Sequence, residues 1–519
     1  MTDARAAVNN SVWPEVRLER LLLGLLASAL LFALAVLCLG LFQPLLDNYD
    51  SRQTQTALTT FWLMRGGPIF AYETPVVGYP WSIPYEFPVY QIIVALVSEI
   101  GIPLDAAGRI VSFAFFVGCL WPIYVLFRAL RFEKAAFPCV AILFLLSPEY
   151  LFWGRTFMIE TCAVFFSLCW LAYFAKYLAD RTAASAALAI AAGSLGVLAK
   201  STTFPSFAVV GGVLFIRECY AAWAAGLLTK KLNVILPALV VLAVPFLIGA
   251  AWTVYSDTVK DANEIGARLT SSALALWNFG TWDQRTSSTL WRDVILSRSL
   301  KDTFGYAAIP AVVLIGASFL RSQYFYAALV AILAFMVPFL VFTNLHIQHS
   351  YYQTANAIFI IGAAGLGAAA VMETGRSRLG LVFLVLIGAG QLVYFKSAYA
   401  RLVTGDFTTR ADFRIAAMAR AQTPPGSGLL VIGQDWSSTL AYYAQRKSLT
   451  VPDWMPLGYW RRMLTQPQNF LGPVPLGAIV FCTEYAPKDE RKSLVEQLVR
   501  GHAVLGEAGE CTLYAGEKK

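Results

Sequence analysis

Residues 21–42 read LLLGLLASALLFALAVLCLGLF, and residues 43–54 read QPLLDNYDSRQT. The first segment is an apolar run of the length that a transmembrane helix needs, about 20 residues. Arg17 and Arg20 precede it, and the run is too long for the apolar core of a cleaved signal peptide. We therefore predict an uncleaved signal anchor, with the N-terminus in the cytoplasm and residue 43 on the other side.

Ten more apolar runs follow this anchor along the chain. The predicted spans are 21–42, 109–130, 135–151, 156–178, 184–199, 204–220, 234–255, 306–320, 323–343, 354–372 and 379–397. Alternation from a cytoplasmic N-terminus places the basic clusters at 128–134 and 176–181 in the cytoplasm, as the positive-inside rule requires. The fold class is a mainly α, polytopic membrane protein with about 11 transmembrane helices.

The composition agrees with a membrane protein. Of 519 residues, 58% are hydrophobic and 14% are charged, whereas a soluble chain carries about 25% charged residues. This composition excludes a nucleic-acid-binding protein, a disulfide-stapled secreted domain and an outer-membrane barrel. The net charge of +8 comes largely from the short loops between apolar runs. With three His in total, we expect no three-His metal site.

The same alternation puts three polar segments outside the cytoplasm: 43–108, 256–305 and the chain from 400 onward. The first outer loop contains two helical patterns, 55–64 and 88–100, which are too short to span and are expected to lie along the membrane. The last segment alternates strand patterns with helix patterns, namely Leu429–Ile432, Ala478–Cys482 and Cys511–Ala515 with Thr409–Ala421 and Lys492–Gly501. We predict a transmembrane domain over 1–399 and a small periplasmic α/β domain over 400–519. Cys482 and Cys511 either form a disulfide or remain two strand thiols.

Polar side chains gather at the outer ends of the predicted spans. They are Asp47, Asp50, Arg52, Glu149, Arg155, Glu160, Lys200, His346, His349 and Tyr351. Burying such groups in lipid is costly, so they need a function or a partner. A carboxylate can take a proton from an attacking hydroxyl, and cationic or phenolic donors stabilise a phosphate as its charge grows. A sugar attached to a lipid phosphate would use both kinds of group.

Four segments carry a resemblance to a known family. They are YDSRQTQTA at 49–57, YEFP at 85–88, GRTFMIE at 154–160 and HSYY at 349–352. In order and sidedness they resemble the GT-C glycosyltransferases that use polyprenyl-phosphate sugars, a group that includes protein O-mannosyltransferases and the lipid A aminoarabinose transferase. The resemblance covers roughly 20–395 and implies an inverting transfer in which a first-loop Asp is the general base.

The resemblance also assigns roles to single residues. Asp50 corresponds to the catalytic carboxylate, and Glu160 to a second acidic residue that places substrate or, in some members, a cation. The implied substrate-binding residues are Arg52, Glu86, Arg155, Glu160, Lys200, His346, His349 and Tyr351. Two departures stand out: Ser51 follows Asp50 where relatives often have a second acidic residue, and Glu86 lies where many relatives have Lys-Pro-Pro. No cofactor is implied, except a divalent cation if Asp50 and Glu160 hold one.

Each assignment has a structural alternative. Asp50 could cap the helix that follows it, with Asp47 as the base instead. Glu160 could pair with Arg155, and Glu86 could form a salt bridge within the first loop. Lys200 could be an interfacial lysine whose amine reaches the headgroups, and the two histidines could be ordinary interfacial residues.

The sequence thus predicts a glycosyltransferase of the bacterial inner membrane that passes a sugar from a polyprenyl-phosphate carrier to a lipid, glycan or protein acceptor. Two rival functions are a ligase or polymerase that uses a diphosphate carrier, and a secondary transporter or flippase. A transporter usually shows internal repeats and polar residues near the midplane, and this sequence shows neither. Membrane lipids are expected partners, and nucleic acid is not.

Overall fold

The computed structural model describes residues 3–226, 232–483 and 489–518. Within these residues the chain forms two compact units. The helical unit comprises the described residues of Met1–Gly40, Ser112–Ala250 and Ala275–Thr404, and the mixed unit comprises those of Leu41–Val111, Ala251–Leu274 and Gly405–Lys519. The units interleave along the chain, so they differ from the predicted division at 399/400: both outer loops contribute to the mixed unit.

Long apolar helices dominate the helical unit, because a helix satisfies every backbone polar group within itself. Across the described part of the chain, eight helices are long and apolar enough to cross a membrane: Arg17–Gly40, Leu104–Ala129, Glu160–Asp180, Phe204–Ala224, Ile235–Lys260, Thr289–Leu320, Ser322–Val341 and Ala357–Ala398. Three shorter apolar helices are Val89–Glu99, Ala136–Leu146 and Ala183–Ala199. The protein is therefore a multi-pass membrane protein.

The exact count of about 11 spans stays a prediction. Two of the predicted spans are the short helices Ala136–Leu146 and Ala183–Ala199. Two others lie within Ala357–Ala398, whose path turns at Gly375 with a φ of 82°. The predicted span 306–320 is the end of a helical stretch that begins at Thr289, inside the segment predicted as the second outer loop.

The remaining elements of the helical unit are short. They are Pro148–Trp153, Ala275–Phe279, Trp282–Thr286, Leu300–Phe304, Thr343–Gln348, Ser350–Ala355 and Ala400–Thr404. Helix packing in this unit depends on small residues. The buried ring of Trp170 packs directly on Gly193 and Gly211. A Cβ atom added at either glycine would lie 2.5 or 2.4 Å from that ring, which is too close for a side chain.

A five-stranded sheet forms the centre of the mixed unit. Its strands are β1 (Gly428–Ile432), β2 (Lys447–Thr450), β3 (Leu476–Cys482), β4 (His502–Ala508) and β5 (Cys511–Lys518), in the order β2-β1-β3-β5-β4. β1 pairs in parallel with β2 and β3, whereas β5 is antiparallel to β3 and β4. The helices of this segment are Ala411–Gln422, Thr439–Ala444, Leu457–Thr465, Pro467–Leu471 and Asp489–Val499.

The small C-terminal α/β region is confirmed, including its three predicted strands. β2 and β4 were not predicted, because KSLT and HAVLGEA are too short or too polar to stand out. Cys482 and Cys511 are paired residues of β3 and β5, and their sulfur atoms form a disulfide. Of the two alternatives for these cysteines, the structure has the bridge.

The first outer loop packs on the edge of this sheet. Its two predicted helices are present as Asp50–Leu63 and Val89–Glu99. Between them, the backbone N–H groups of Ser448 and Thr450 donate to the carbonyls of Pro75 and Val76 at 3.0 and 2.7 Å. The loop therefore covers the outer edge of β2, which would otherwise expose unpaired backbone groups.

Candidate active site

Asp50 begins the helix Asp50–Leu63 in the mixed unit. Tyr49, immediately before it, has a left-handed backbone with φ 46° and ψ 47°. The stretch 41–49 after the first transmembrane helix consists of turns and bends, and the helix then begins at a residue whose side chain remains 28% exposed. An acidic residue in the first turn is favoured by the helix dipole. Tyr49 occupies the N-cap position and no side chain caps the helix, so the structure does not support the alternative in which Asp50 is the N-cap.

Among the described residues, each oxygen of the Asp50 carboxylate accepts a hydrogen bond from one donor. Oδ1 accepts from the Ser51 backbone N–H at 2.7 Å, and Oδ2 accepts from the Arg410 guanidinium at 2.6 Å. Arg410 is itself held by Asp412 at 2.5 Å and by the Leu46 carbonyl at 3.1 Å. These donors fix the position of the Asp50 carboxylate. Because each carboxylate oxygen has two lone pairs, Asp50 can still accept a proton from a substrate hydroxyl.

Asp47, the alternative base, has different surroundings. It is 3% exposed, and its Oδ1 accepts from the Gln53 amide at 2.7 Å. Its Oδ2 lies 3.8 Å from the buried guanidinium of Arg109, which also donates to the Pro44 carbonyl. Asp47 thus stabilises the turn that leads to Asp50, and its burial leaves little access for a substrate.

Arg52 and Glu86, both predicted to bind substrate, contact each other. Their side chains form an ion pair of 2.9 Å, and Arg52 also donates to the Gln55 side chain at 2.6 Å. The Glu86 carbonyl accepts from the Tyr72 hydroxyl at 2.8 Å. This is the first-loop salt bridge that was the structural alternative for Glu86. Each side chain keeps about one fifth of its surface exposed, 20% and 23%.

A cavity of about 320 Å³ lies beside Asp50, wholly within the mixed unit. The loops that follow β1 and β2 line it, together with Asp50 and Arg410. Burial and the neighbouring Asp435 carboxylate raise the pKa of Asp453 to about 6, although Arg491 opposes the shift. Burial also raises the pKa of Asp435, although the backbone N–H groups of Asp453 and Trp436 oppose this shift.

A second polar cluster lies in the helical unit, around Glu160 and Lys200. Glu160 begins the helix Glu160–Asp180 and Lys200 directly follows the helix Ala183–Ala199, positions at which the helix dipoles favour their charges. Lys200 Nζ donates to Glu160 Oε1 at 2.6 Å, and both side chains are 3% exposed. Lys200 therefore pairs with Glu160 in this structure.

Aromatic rings complete this cluster. Lys200 Nζ lies 3.9 Å from the ring centroid of Tyr352 and 5.0 Å from that of Tyr351. The His349 ring is tilted against Tyr351 at 5.4 Å, and His346 contacts Tyr352 edge-on at 5.9 Å. Lys200, His346, His349 and Tyr351, four of the predicted substrate-binding residues, are therefore neighbours.

His346 is a neutral imidazole at pH 7. Its burial, with the nearby cations of Arg298 and Lys200, lowers its pKa to about 3. Its Nδ1 and the Oε2 of Glu160 are buried and have no hydrogen-bond partner among the described residues. Buried polar atoms of this kind normally have a partner, so the cluster is suited to a polar ligand.

Arg155, another predicted substrate-binding residue, is 1% exposed in the helical unit. Its guanidinium lies over the Phe152 ring at 5.0 Å. It follows the short helix Pro148–Trp153 and precedes the helix that Glu160 begins.

No protein-family profile matches the chain, and no curated protein sequence matches it. Solved structures do match. ArnT from Cupriavidus metallidurans, in a crystal structure bound to undecaprenyl phosphate, superposes with a TM-score of 0.63 at 13% identity, over 95% of this chain and 98% of ArnT. The chain has the GT-C fold.

Two more GT-C proteins are similar. AglB from Archaeoglobus fulgidus, in complex with an inhibitory peptide and a dolichol-phosphate, gives a TM-score of 0.55 at 14% identity, over 90% of this chain and 70% of AglB. The arabinofuranosyltransferase AftD from Mycobacteria gives 0.52 at 14% identity, over 95% of this chain but 40% of AftD. At these identities, the likeness establishes the GT-C fold and leaves the activity to be argued from the sites.

The GT-C resemblance covered 20–395, so it missed the residues that the C-terminal segment contributes. Arg410, Asp453 and Trp454 lie near Asp50 only because the segment folds against the first outer loop. In the helical unit, Tyr352 and Arg298 were also missed. Arg298 donates to the Ile347 carbonyl at 3.2 Å and so supports the histidine segment.

The described residues contain no group of three or more His, Cys, Asp and Glu side chains that could hold a metal ion. Asp50 and Glu160, the two carboxylates named in the sequence analysis as ligands for a divalent cation, each have a cationic partner. Arg410 pairs with Asp50, and Lys200 pairs with Glu160.

Proposed function

We propose that this GT-C protein is an inverting glycosyltransferase, which transfers a sugar from a polyprenyl-phosphate monosaccharide to an acceptor outside the cytoplasm. The fold supports this class, since ArnT, AglB and AftD are GT-C glycosyltransferases, and ArnT and AglB were solved with a polyprenyl or dolichyl phosphate. The acceptor is a lipid, a cell-envelope glycan or a protein.

In the proposed reaction, the acceptor oxygen attacks the anomeric carbon of the donor sugar. As the new C–O bond forms, Asp50 takes the proton of the acceptor hydroxyl. The bond between the anomeric carbon and the phosphate oxygen breaks, and the lipid phosphate leaves with the electron pair. A single displacement of this kind needs one base and inverts the anomeric centre.

One observation carries the assignment of the base. Asp50 is partly exposed at the wall of a cavity and is held by one donor on each oxygen, whereas Asp47 is buried among structural partners. A general base must be fixed in position and must also reach the substrate. The two donors and the partial exposure of Asp50 support its assignment as the base.

The Lys200 cluster is the proposed site for the lipid phosphate. An ammonium, a neutral imidazole and two phenols provide donors without an excess of positive charge, since Glu160 balances Lys200. Such donors stabilise negative charge as it develops on a leaving phosphate. Arg155 and His349 are proposed to contribute to the same site.

The function is tested with purified protein in detergent and labelled polyprenyl-phosphate monosaccharides. We expect slow release of free lipid phosphate, and faster release when a crude envelope extract supplies the acceptor. Polyprenyl-diphosphate glycans are the matched control donors. Turnover of the diphosphate donors alone would favour a ligase or polymerase, and the binding and turnover of neither class would contradict the proposal.

We also propose a bacterial inner-membrane location with a cytoplasmic N-terminus and a periplasmic C-terminal segment. A disulfide such as Cys482–Cys511 persists in an oxidising compartment and is reduced in the cytoplasm. In cells quenched with acid, a maleimide polymer should add to two more cysteines after reduction than before it. This difference should vanish in the Cys482→Ser/Cys511→Ser variant. Equal labelling before and after reduction in the wild type would contradict the orientation.

A further inference from the structure

The cavity beside Asp50 has features that the general-base role does not use. Its volume, about 320 Å³, falls in the range of small-molecule sites, about 300–1,000 Å³. The lining residues that matter here are Asp50, Arg410, Asp435, Trp436, Asp453 and Trp454. All six belong to the mixed unit.

The sheet explains why these residues meet. β1 and β2 are parallel neighbours, so the loops that follow them leave the same edge of the sheet, and carboxyl ends of parallel strands commonly form ligand sites. The loop after β1 turns sharply at Gly433 and Asp435, which have φ of 80° and 45°. The Asp453 backbone N–H donates to Asp435 Oδ1 at 3.0 Å and ties the two loops together.

The helix that begins at Asp50 is fixed to the same edge. The Ser438 hydroxyl donates to the Ser51 carbonyl at 2.7 Å, and the hydroxyls of Thr54 and Ser438 lie 2.9 Å apart. The start of the helix Asp50–Leu63 is thereby held against the loop that carries Asp435 and Trp436. The cavity wall is consequently a built surface, continuous from Asp50 to the C-terminal loops.

The charges of the wall select against anions. Among the lining residues, the three carboxylates Asp50, Asp435 and Asp453 outnumber the one cation, Arg410. Arg410 already engages Asp50 and Asp412 at 2.6 and 2.5 Å, and the further cation that acts on Asp453, Arg491, does not line the cavity. A phosphate or a carboxylate in this cavity would meet uncompensated negative charge. Carboxylates instead accept hydrogen bonds from hydroxyls, and the indole rings of Trp436 and Trp454 offer apolar faces to the C–H side of a sugar ring.

We infer that this cavity binds an uncharged, hydroxyl-rich sugar of the acceptor, with Trp454 and Trp436 against the ring and Asp435 and Asp453 accepting from its hydroxyls. The assignment to the acceptor rests on the proposed function, because it places the acceptor hydroxyl beside the base Asp50. A glycan acceptor carried by a lipid, a protein or the cell envelope presents the same sugar chemistry to this cavity.

The test uses the full-length protein in detergent at pH 7.5 and saturation-transfer NMR. The probes are the methyl glycosides of glucose, mannose, galactose and arabinose, with glucose 6-phosphate as the anionic control. We expect at least one neutral glycoside to give a signal that falls about 5-fold or more in Trp454→Ala and in Asp453→Asn. Trp282→Ala, which removes an indole 74% exposed outside the cavity, is the matched control and should bind as the wild type does.

Three results would overturn the inference: no glycoside binds, the Trp454→Ala variant binds as well as the wild type, or glucose 6-phosphate binds as well as glycosides. Since Trp454 is 43% exposed, its removal should spare folding, which thermal unfolding of each variant checks.

A competition experiment separates this inference from the function proposed above. Undecaprenyl phosphate should leave glycoside binding unchanged. If a polyprenyl-phosphate sugar displaced the glycoside and the bare lipid phosphate did not, the cavity would bind the donor sugar. That result would overturn the acceptor assignment. Glycoside binding without any donor turnover would refute the glycosyltransferase proposal and leave the sugar site standing.

Discussion

Replacing Asp50 by Asn is expected to lower sugar transfer by about 10²–10⁴-fold, the usual contribution of general-base catalysis. The amide is nearly isosteric with the carboxylate, but it cannot take the proton of the acceptor hydroxyl. Folding should be preserved, because the Asp50–Arg410 pair is 28% and 36% exposed and such pairs contribute about 0–1 kcal/mol. The measurement is acceptor-dependent release of lipid phosphate, with thermal unfolding as the check on the fold.

Two variants show whether the loss is due to the base or to the ion pair. Arg410→Gln removes the guanidinium but keeps the carboxylate, so its loss of transfer should be much smaller than that of Asp50→Asn. Asp47→Asn perturbs the buried network with Gln53 and Arg109, and we expect it to reduce stability more than the rate of the remaining folded protein. If Asp50→Asn retained activity and Asp47→Asn did not, Asp47 would be the base.

The membrane fold could be predicted from the sequence because a transmembrane helix is a local property. A run such as 21–42 can be recognised as a transmembrane helix from its length and its apolar composition alone. The ends of a helix are harder to predict where the helix continues past its apolar part, as in Thr289–Leu320, of which only 306–320 was predicted. Polar residues at 289–305 made that stretch read as a loop, although the backbone is helical from Thr289 onward.

The site was only partly predictable, because its members come from distant parts of the chain. Asp50, Glu160 and Lys200 could be named individually from their place at the ends of apolar runs. The partners could not: Arg410 is 360 residues from Asp50, and Glu160 is 40 residues from Lys200. Asp453 and Trp454 could not be placed at the site from the sequence, because they follow β2, a strand of four residues that has no clear sequence pattern.

The second large effect is expected from Lys200. If its ammonium contacts the lipid phosphate, Lys200→Met should lower kcat/KM for the donor by about 10–100-fold, since hydrogen bonds to charged groups contribute about 1.5–3 kcal/mol. Acceptor KM should change little. A single substitution is ambiguous, however, because it leaves the buried Glu160 carboxylate without its cation. Unpairing a buried charge costs about 3–5 kcal/mol of stability.

The double variant Glu160→Gln/Lys200→Met resolves this ambiguity. It removes both charges, so the free energy of unfolding should recover toward that of the wild type, while donor kcat/KM should stay low. Recovery of donor use together with stability would show that the pair is structural and would contradict the phosphate assignment.

The chain contains a matched control for this double variant. Lys447 pairs with Glu73 at 2.7 Å and lies 4.8 and 5.4 Å from the rings of Trp62 and Trp81. It therefore repeats the lysine–glutamate–aromatic arrangement of Lys200 in the mixed unit, with no proposed role in donor binding. Glu73→Gln/Lys447→Met should leave donor kcat/KM within about 2-fold of the wild type, since partly exposed pairs contribute little. A loss equal to that of Glu160→Gln/Lys200→Met would mean that removing any such pair disturbs the enzyme, and the phosphate site would have to be sought elsewhere.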